Sequence, residues 1–437
     1  MLLLSSLKRL LRKTSLLSMI LSLVFVSVAL AASGDLDTTF SSDGMTNTNF
    51  SANSPDAVRA VAIQPNGRIV VVGYTGPSAS SDFAIARYNQ NGTLDTSFSG
   101  DGMQTTSFDA SDVAWAVAIQ PDGKILVSGF ACAAAFSDCS VALARYLPNG
   151  SLDTTFSGDG KQTAKIGTNK TQSVGGLAIQ TDGKIVVAGL VVLNDSIDFA
   201  VFRFNSNGSF DATFSGDGKL SFGFGTGRSD TAADLALQSD GKIVLGGRSS
   251  DSGNTSTNLA IARITSTGAL DSTFSGDGRQ MVSFGSSTFA NGNTIAIDGN
   301  GKIVIGGSKK AGAVSVFVLA RLTPTGALDT TFNSTGKVIV NLPGPSDIAH
   351  KVLFDGTKIV LAGETRPASV DFALLRFNAN GSLDTSFSGD GIVTVNFGST
   401  DLDQAWGLAM DSSGRYVLAG NTDGPGNSDF GVMRVMP

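Results

Sequence analysis

A nine-residue motif, Leu-Asp-Thr-Thr-Phe-Ser-Gly-Asp-Gly at 152–160, returns with small changes along almost the whole chain. Its first Asp recurs as Asp37, Asp95, Asp153, Asp211, Asp271, Asp329 and Asp384, at spacings of 58, 58, 58, 60, 58 and 55 residues, and a Phe follows each Asp three places on. Such a period means that the chain is assembled from like supersecondary units, none of which buries its apolar face alone. A length of 437 residues would otherwise suggest two or three domains. The period reduces them to one array.

The unit is all β. Trp115–Gln120 and Lys124–Gly129 are apolar strands joined by the turn Pro121-Asp122-Gly123, and Val141–Tyr146 is a third strand. The turn Pro148-Asn149-Gly150 and the motif then lead into a more polar fourth strand, Lys161–Ile166. Turn formers dominate the rest: the chain has 53 Gly, and its acidic residues are Asp except for Glu364. Seven four-stranded units predict a seven-bladed β-propeller, with inner strands buried between blades and the polar strand at the rim. The repeats begin on a lone fourth strand, Met45–Phe50, and finish on a third strand, Phe430–Arg434. Joining the two closes the ring and leaves no exposed edge, whereas a linear solenoid would need atypical capping repeats.

The first residues carry Lys8, Arg9, Arg12 and Lys13, then the apolar run Leu16–Leu30, with Ala29-Leu30-Ala31 as a small-x-small cleavage site. This is the layout of a signal peptide over residues 1–31, leaving 32–437 as a single propeller domain, secreted, periplasmic or at the cell surface, with no membrane segment after cleavage. Export favours a local disulfide between Cys132 and Cys139 that pins the loop between the second and third strands. Two buried thiols are the alternative. A formal net charge of −6 disfavours nucleic acid as a partner.

The repeated motif, together with second strands such as Lys184-Ile-Val-Val-Ala-Gly189 and the Ala-Arg-Tyr-x-x-Asn-Gly segments, resembles the bacterial delta-60 repeat over residues 33–437. That resemblance implies an exported β-propeller whose biochemical role is largely uncharacterised. The sixth motif departs from the pattern at Asn333-Ser-Thr-Gly336, and the sixth first turn is shortened to Asp355-Gly356-Thr357.

Charged residues recur with the period. Every third strand holds an Arg among apolar residues, and an Asp follows eight places on: Arg87 and Asp95, Arg145 and Asp153, Arg203 and Asp211, Arg263 and Asp271, Arg321 and Asp329, Arg376 and Asp384. The last, Arg434, must find Asp37 across the ring closure. A structural ion pair in each blade offsets the desolvation of the guanidinium; capping of the following turn is the other task open to the Asp. Calcium on stretches such as Asn89-x-Asn91-Gly92-x-x-Asp95 is weakened by equivalents with Thr265-x-Thr267 and Thr323-x-Thr325, so neither a metal nor another cofactor is expected.

Enzyme signatures are thin. His350 is the sole His, no nucleophile-elbow motif accompanies it, and nothing selects a catalytic pair among the Asp residues. The loops from fourth to first strand and from second to third strand vary most, and in a propeller they share one face. At the entrance of the first strand stand Arg59, Trp115, Gly175, Ala233, Asn293, His350 and Trp406. Of these, Arg59, Trp115, Asn293, His350 and Trp406 are candidate ligand-binding residues; packing between blades is the other task for the tryptophans. The expectation is a non-enzymatic exported propeller that binds a protein or polysaccharide through this face. A hydrolase or lyase using Asp carboxylates there, or a purely structural envelope module, are the alternatives.

Overall fold

A computed structural model describes residues 31–437 apart from 52–53, 135–136, 168–171, 194–195, 254, 287, 399–402 and 425–426. The signal peptide read from residues 1–31 lies outside the described residues except for Ala31. Among those described there is no helix, and twenty-eight strands follow one another in a four-strand beat. In the second complete unit, Ser111–Ile119, Ile125–Ala134, Ser137–Tyr146 and Lys161–Ala164 pair antiparallel in that order. The second and third strands are continuous apolar runs because neighbouring units cover both of their faces: Ile125, Leu126, Val127 and Leu143 have no exposure. The short outer strand is mostly half-exposed.

The apolar clusters lie between units rather than within them. One joins Val70, Val72, Phe83 and Ile85 to Ala114, Ile125, Val127 and Ala142 of the next unit. Another joins Phe40, Val58 and Ile69 to Val417, Ala419 and Phe430, near the other end of the chain. The innermost strand of each unit packs on the innermost strand of the next, from Asp56–Ile63 through Ser111–Ile119 and onward to Gln404–Met410, which packs on Asp56–Ile63. Met45–Thr48 pairs with Asn427–Val435, setting Met45 opposite Met433 and Thr48 opposite Phe430.

Strand limits differ from those read in the sequence. The innermost strand begins at Ser111, four residues before Trp115, and the outer strand stops at Ala164. The second and third strands run on to Ala134 and from Ser137, so Cys132 and Cys139 face each other in register and form a buried disulfide within a long hairpin, not within a loop. The run Ala131-Cys132-Ala133 contains none of the Gly, Pro, Asn or Asp residues that end strands in turns.

The nine-residue motif latches one unit to the next. Asp153 Oδ2 accepts Arg145 Nε at 2.8 Å and lies 3.2 Å from Lys124 Nζ, while Oδ1 accepts the Thr155 N–H at 3.1 Å and its hydroxyl at 2.6 Å. One Asp therefore does both tasks that the sequence left open, pairing with the Arg and capping the turn. Arg145 also donates to the Ser206 carbonyl of the following unit and lies 4.8 Å from the Phe156 ring centroid. Ser157, at φ 53°, donates its N–H to Asn207 O of that unit at 2.9 Å. The same Nε–Oδ2 contact of 2.7–2.8 Å occurs at Arg87–Asp95, Arg203–Asp211, Arg263–Asp271, Arg321–Asp329, Arg376–Asp384 and Arg434–Asp37.

A second set of carboxylates has the opposite electrostatics. Asp56, Asp112, Asp230, Asp347 and Asp403 are buried near the start of innermost strands and accept N–H groups of Phe50, Phe108, Phe224, Leu342 and Phe397 in the preceding loops. Burial outweighs those hydrogen bonds and pushes Asp112 up to about 6, with Asp56, Asp230 and Asp347 raised in the same direction. In the latch, burial also pushes Asp153 up, but the Thr155 hydroxyl and N–H, Lys124 and Arg145 outweigh it and hold the carboxyl at about 2.

The two sets give stability limbs of opposite sign. A carboxyl whose folded pKa is raised disfavours the fold once ionised, so Asp112 withdraws stability as pH rises from about 4 through 6 and the other raised carboxyls act in the same direction. One whose folded pKa is lowered supports the fold above about 4 and loses that support toward pH 2. The melting temperature is therefore expected to peak near pH 4–5. Asp112→Asn, which keeps an acceptor for Phe108, is expected to flatten the upper limb by about 2 kcal/mol. Melting curves of both proteins from pH 2 to 8 check this; an unchanged upper limb in the variant refutes the assignment.

Candidate functional site

Each innermost strand skips one residue in its pairing with the second strand, and always at the same place. The skips fall between Val58 and Ala60, Ala114 and Ala116, Val174 and Gly176, Ala232 and Asp234, Gly292 and Thr294, Ala349 and Lys351, and Ala405 and Gly407. The bulged residues are Arg59, Trp115, Gly175, Ala233, Asn293, His350 and Trp406. The sequence placed these residues at the strand entrance; they sit inside the strand, where a bulge leaves a residue unpaired and re-aims its side chain. A glycine of the second strand faces the residue just before each bulge, as Gly129 faces Ala114 and Gly420 faces Ala405. The bulge tips a carbonyl toward the second strand, and a Cβ on Gly129 or Gly420 would run into Val113 O or Gln404 O.

Six of the seven bulged residues line one cavity of about 430 Å³ between the innermost strands. Its size is that of small-ligand sites. Trp115 and Trp406 meet edge to face with ring centroids 6.0 Å apart, and His350 lies 4.0 Å from Trp406. The seventh, Arg59, is not in the lining. Its guanidinium carbon sits 4.4 Å from the Trp406 centroid and 5.3 Å from those of Trp115 and Tyr74, and Nη1 donates to Val58 O at 2.7 Å. Burial lowers its pKa, with Tyr74 opposing. Arg59 lies against both indoles.

Gly175 and Ala233 leave the opposite wall open, and at Gly175 a Cβ would come within 2.5 Å of Ala232 O. Between the two walls runs a polar network that the sequence reading missed. Asp234 Oδ2 accepts Lys351 Nζ at 2.7 Å, Thr294 Oγ1 at 3.0 Å and Ile295 N at 3.2 Å, and Oδ1 accepts Leu235 N at 2.9 Å. Asn293 Nδ2 donates to Ala349 O at 2.7 Å. The residue after each bulge carried the signal: Ala60, Ala116, Gly176 and Gly407 are small, whereas Asp234, Thr294 and Lys351 in three successive units are not.

This geometry limits the chemistry. Asp234 is the one carboxylate among the lining residues, and both of its oxygens are occupied. Glycoside hydrolysis by paired carboxylates would need a second, about 5–9.5 Å away. The His350 ring backs onto Glu364, with Nε2 3.5 Å from Oε2. As for calcium, Asn91 Oδ1 is engaged by the Thr93 N–H and hydroxyl, and Asp95 lies in the arginine latch. Among the described residues no group of three or more His, Cys, Asp or Glu side chains could hold a metal ion.

Six segments, 64–98, 120–156, 180–214, 238–274, 299–332 and 358–387, match a family model described as "Domain of unknown function (DUF5122) beta-propeller". Each matched segment holds the second strand, the third strand and the start of the latch motif. The crystal structure of polysaccharide lyase Uly1 is similar with a TM-score of 0.52 and 10% identity, covering 90% of this chain and 91% of that one. The periplasmic gluconolactonase PpgL of Pseudomonas aeruginosa aligns with a TM-score of 0.48 and 13% identity, over 79% of this chain and 87% of that one. A Dyadobacter fermentans protein of unknown function gives 0.48 and 12%, over 90% and 99%. No curated protein sequence matches. At 10% identity the likeness to the lyase structure speaks for the fold alone, and with the family model it gives a β-propeller.

Proposed function

Because the chain carries β-propeller repeats, we propose that it is an exported, closed ring of seven four-stranded blades whose central cavity binds a saccharide without catalysing its cleavage. The pairing of Met45–Thr48 with Asn427–Val435 and the unbroken succession of innermost-strand contacts support the ring. The Cys132–Cys139 disulfide agrees with an oxidising compartment. Among the described residues no helix is long and apolar enough to cross a membrane.

The observation that carries the binding reading is the wall formed by Trp115 and Trp406, held by Arg59 and opening on a concave cavity. An indole such as Trp115 takes the apolar face of a sugar ring, Trp406 is packed against His350 and Arg59 beside it, and Asn293 and Lys351 offer hydrogen-bond donors nearby. A flat protein partner would leave such a concavity unfilled. Trp115→Ala and Trp406→Ala are each expected to weaken binding of the glycans selected on an array by about tenfold or more, with the β-sheet circular dichroism unchanged. Undiminished binding in both folded variants would refute the proposal.

A lyase acting in the same cavity is the second reading, favoured by His350, an imidazole at the cavity wall with Glu364 behind it. It requires unsaturated products to accumulate from a uronate polysaccharide, and their ultraviolet absorbance to vanish with His350→Ala.

A further inference from the structure

We propose that the ligand is an anionic saccharide chain of several residues, lying in a groove that runs from the tryptophan-lined cavity to a second cavity beside it, with Arg248 at the junction. This deepens the saccharide reading and rests on it. The second cavity, of about 640 Å³, is lined by Arg228, Arg248, Ser250, Thr257, Phe289 and Asn291 among others. Arg248 lines both cavities, so the two adjoin at its side chain. Two cavities in series suit a chain rather than a single sugar.

The charge of the groove differs from that of the molecule. The seven latch arginines all pair with carboxylates, but among the described residues neither Arg228 nor Arg248 forms an ion pair. Their forks are held by neutral acceptors. Arg228 donates through Nε to Ser249 Oγ at 2.6 Å and through Nη2 to Ser249 O at 3.0 Å; Arg248 Nη1 donates to Asn291 Oδ1 at 3.2 Å. The nearby Asp251 is occupied by its own turn, its oxygens accepting from Thr255 and Ser256. Arg248 thus stands without a carboxylate and Arg228 without an ion pair, although its charge acts on the buried Asp230 nearby, in a chain of formal charge −6. A planar fork with free donors matches a carboxylate or a sulfate group.

Position supports a site built once. The residue equivalent to Arg248, directly after the second-strand glycine, is Tyr74, Phe130, Leu190, Ser308, Glu364 and Asn421 in the other units. Arg248 is the one cation in that series. The chain would lay a sugar face on the Trp115 end of the tryptophan wall and place an acidic group against Arg248 and Arg228 at the other end.

Titration of tryptophan fluorescence follows binding directly, because Trp115 and Trp406 are the two tryptophans of the chain. The probes are galacturonic acid, oligogalacturonate of six residues, sulfated dextran oligosaccharide of similar length and maltohexaose. Oligogalacturonate is expected to bind at least about tenfold tighter than the monomer or maltohexaose, to weaken with added salt, and to lose that advantage in Arg248→Gln and most of it in Arg228→Gln. Preference for the sulfated chain with the same arginine dependence supports the groove and names sulfate as its group. If maltohexaose binds as tightly as the acidic chains and Arg248→Gln changes nothing, the anionic groove is refuted while the saccharide reading stands. If no probe binds, both fall.

Discussion

Asp37→Ala is expected to lower unfolding free energy by about 3–5 kcal/mol, the usual effect of removing one partner from a buried ion pair. Asp37 Oδ2 takes Arg434 Nε at 2.7 Å and Arg415 Nη1 at 3.0 Å, and Oδ1 takes the Thr39 N–H and hydroxyl. Arg434 is 2% exposed, so without Asp37 its guanidinium would stay buried with only carbonyl and hydroxyl partners such as Gln90 O. These contacts tie residues almost four hundred positions apart, so this latch joins the first described repeat motif to the last strand. Asp43→Ala, at an exposed turn carboxylate, is the control and is expected to cost under about 1 kcal/mol. Adding Arg434→Met to Asp37→Ala removes the stranded charge and should recover part of the loss. Denaturant midpoints of the four proteins measure this; equal midpoints for Asp37→Ala and Asp43→Ala would refute the role of the latch.

Gly420→Ala is expected to act on stability and binding together. The added methyl meets Gln404 O, a main-chain atom that cannot swing aside. Relief requires the bulge at Trp406 to flatten or the two strands to part, at a cost of about 1–3 kcal/mol or more. Flattening would turn Trp406 off the cavity wall and unstack it from Trp115, His350 and Arg59. Thermal melting together with saccharide titration checks both effects. A variant that melts and binds like the parent would show that the glycine is not needed for the bulge. Gly216→Ala is the comparison: no atom lies near its missing Cβ, and only its φ of 88° resists the change, so it should cost roughly 1 kcal/mol with binding intact.

Much of the scaffold is legible because it is local and repeated. An Arg at 145 and an Asp at 153 lie eight residues apart around one tight turn, so proximity follows from chain connectivity, and repetition extends the rule to Arg434 and Asp37. The candidate site was harder. The diverse ring from Arg59 to Trp406 could be picked out by aligning the units, but its geometry could not, because a bulge is a difference of one residue between two strands. The signal present in the sequence was the glycine that ends the apolar core of every second strand, whose meaning depends on which carbonyl faces it. The same limit hid the contact of Arg59 with both indoles.

Sequence alone determined the beat of four strands, the turn chemistry and the Arg–Asp partners eight residues apart, since each of these depends on short-range spacing. Tertiary structure alone decided which unlike residues meet. Asp234 and Lys351, 117 positions apart, come within 2.7 Å, and Trp115 meets Trp406, because curvature of the array and the inward bulges bring together side chains that no periodic pattern relates.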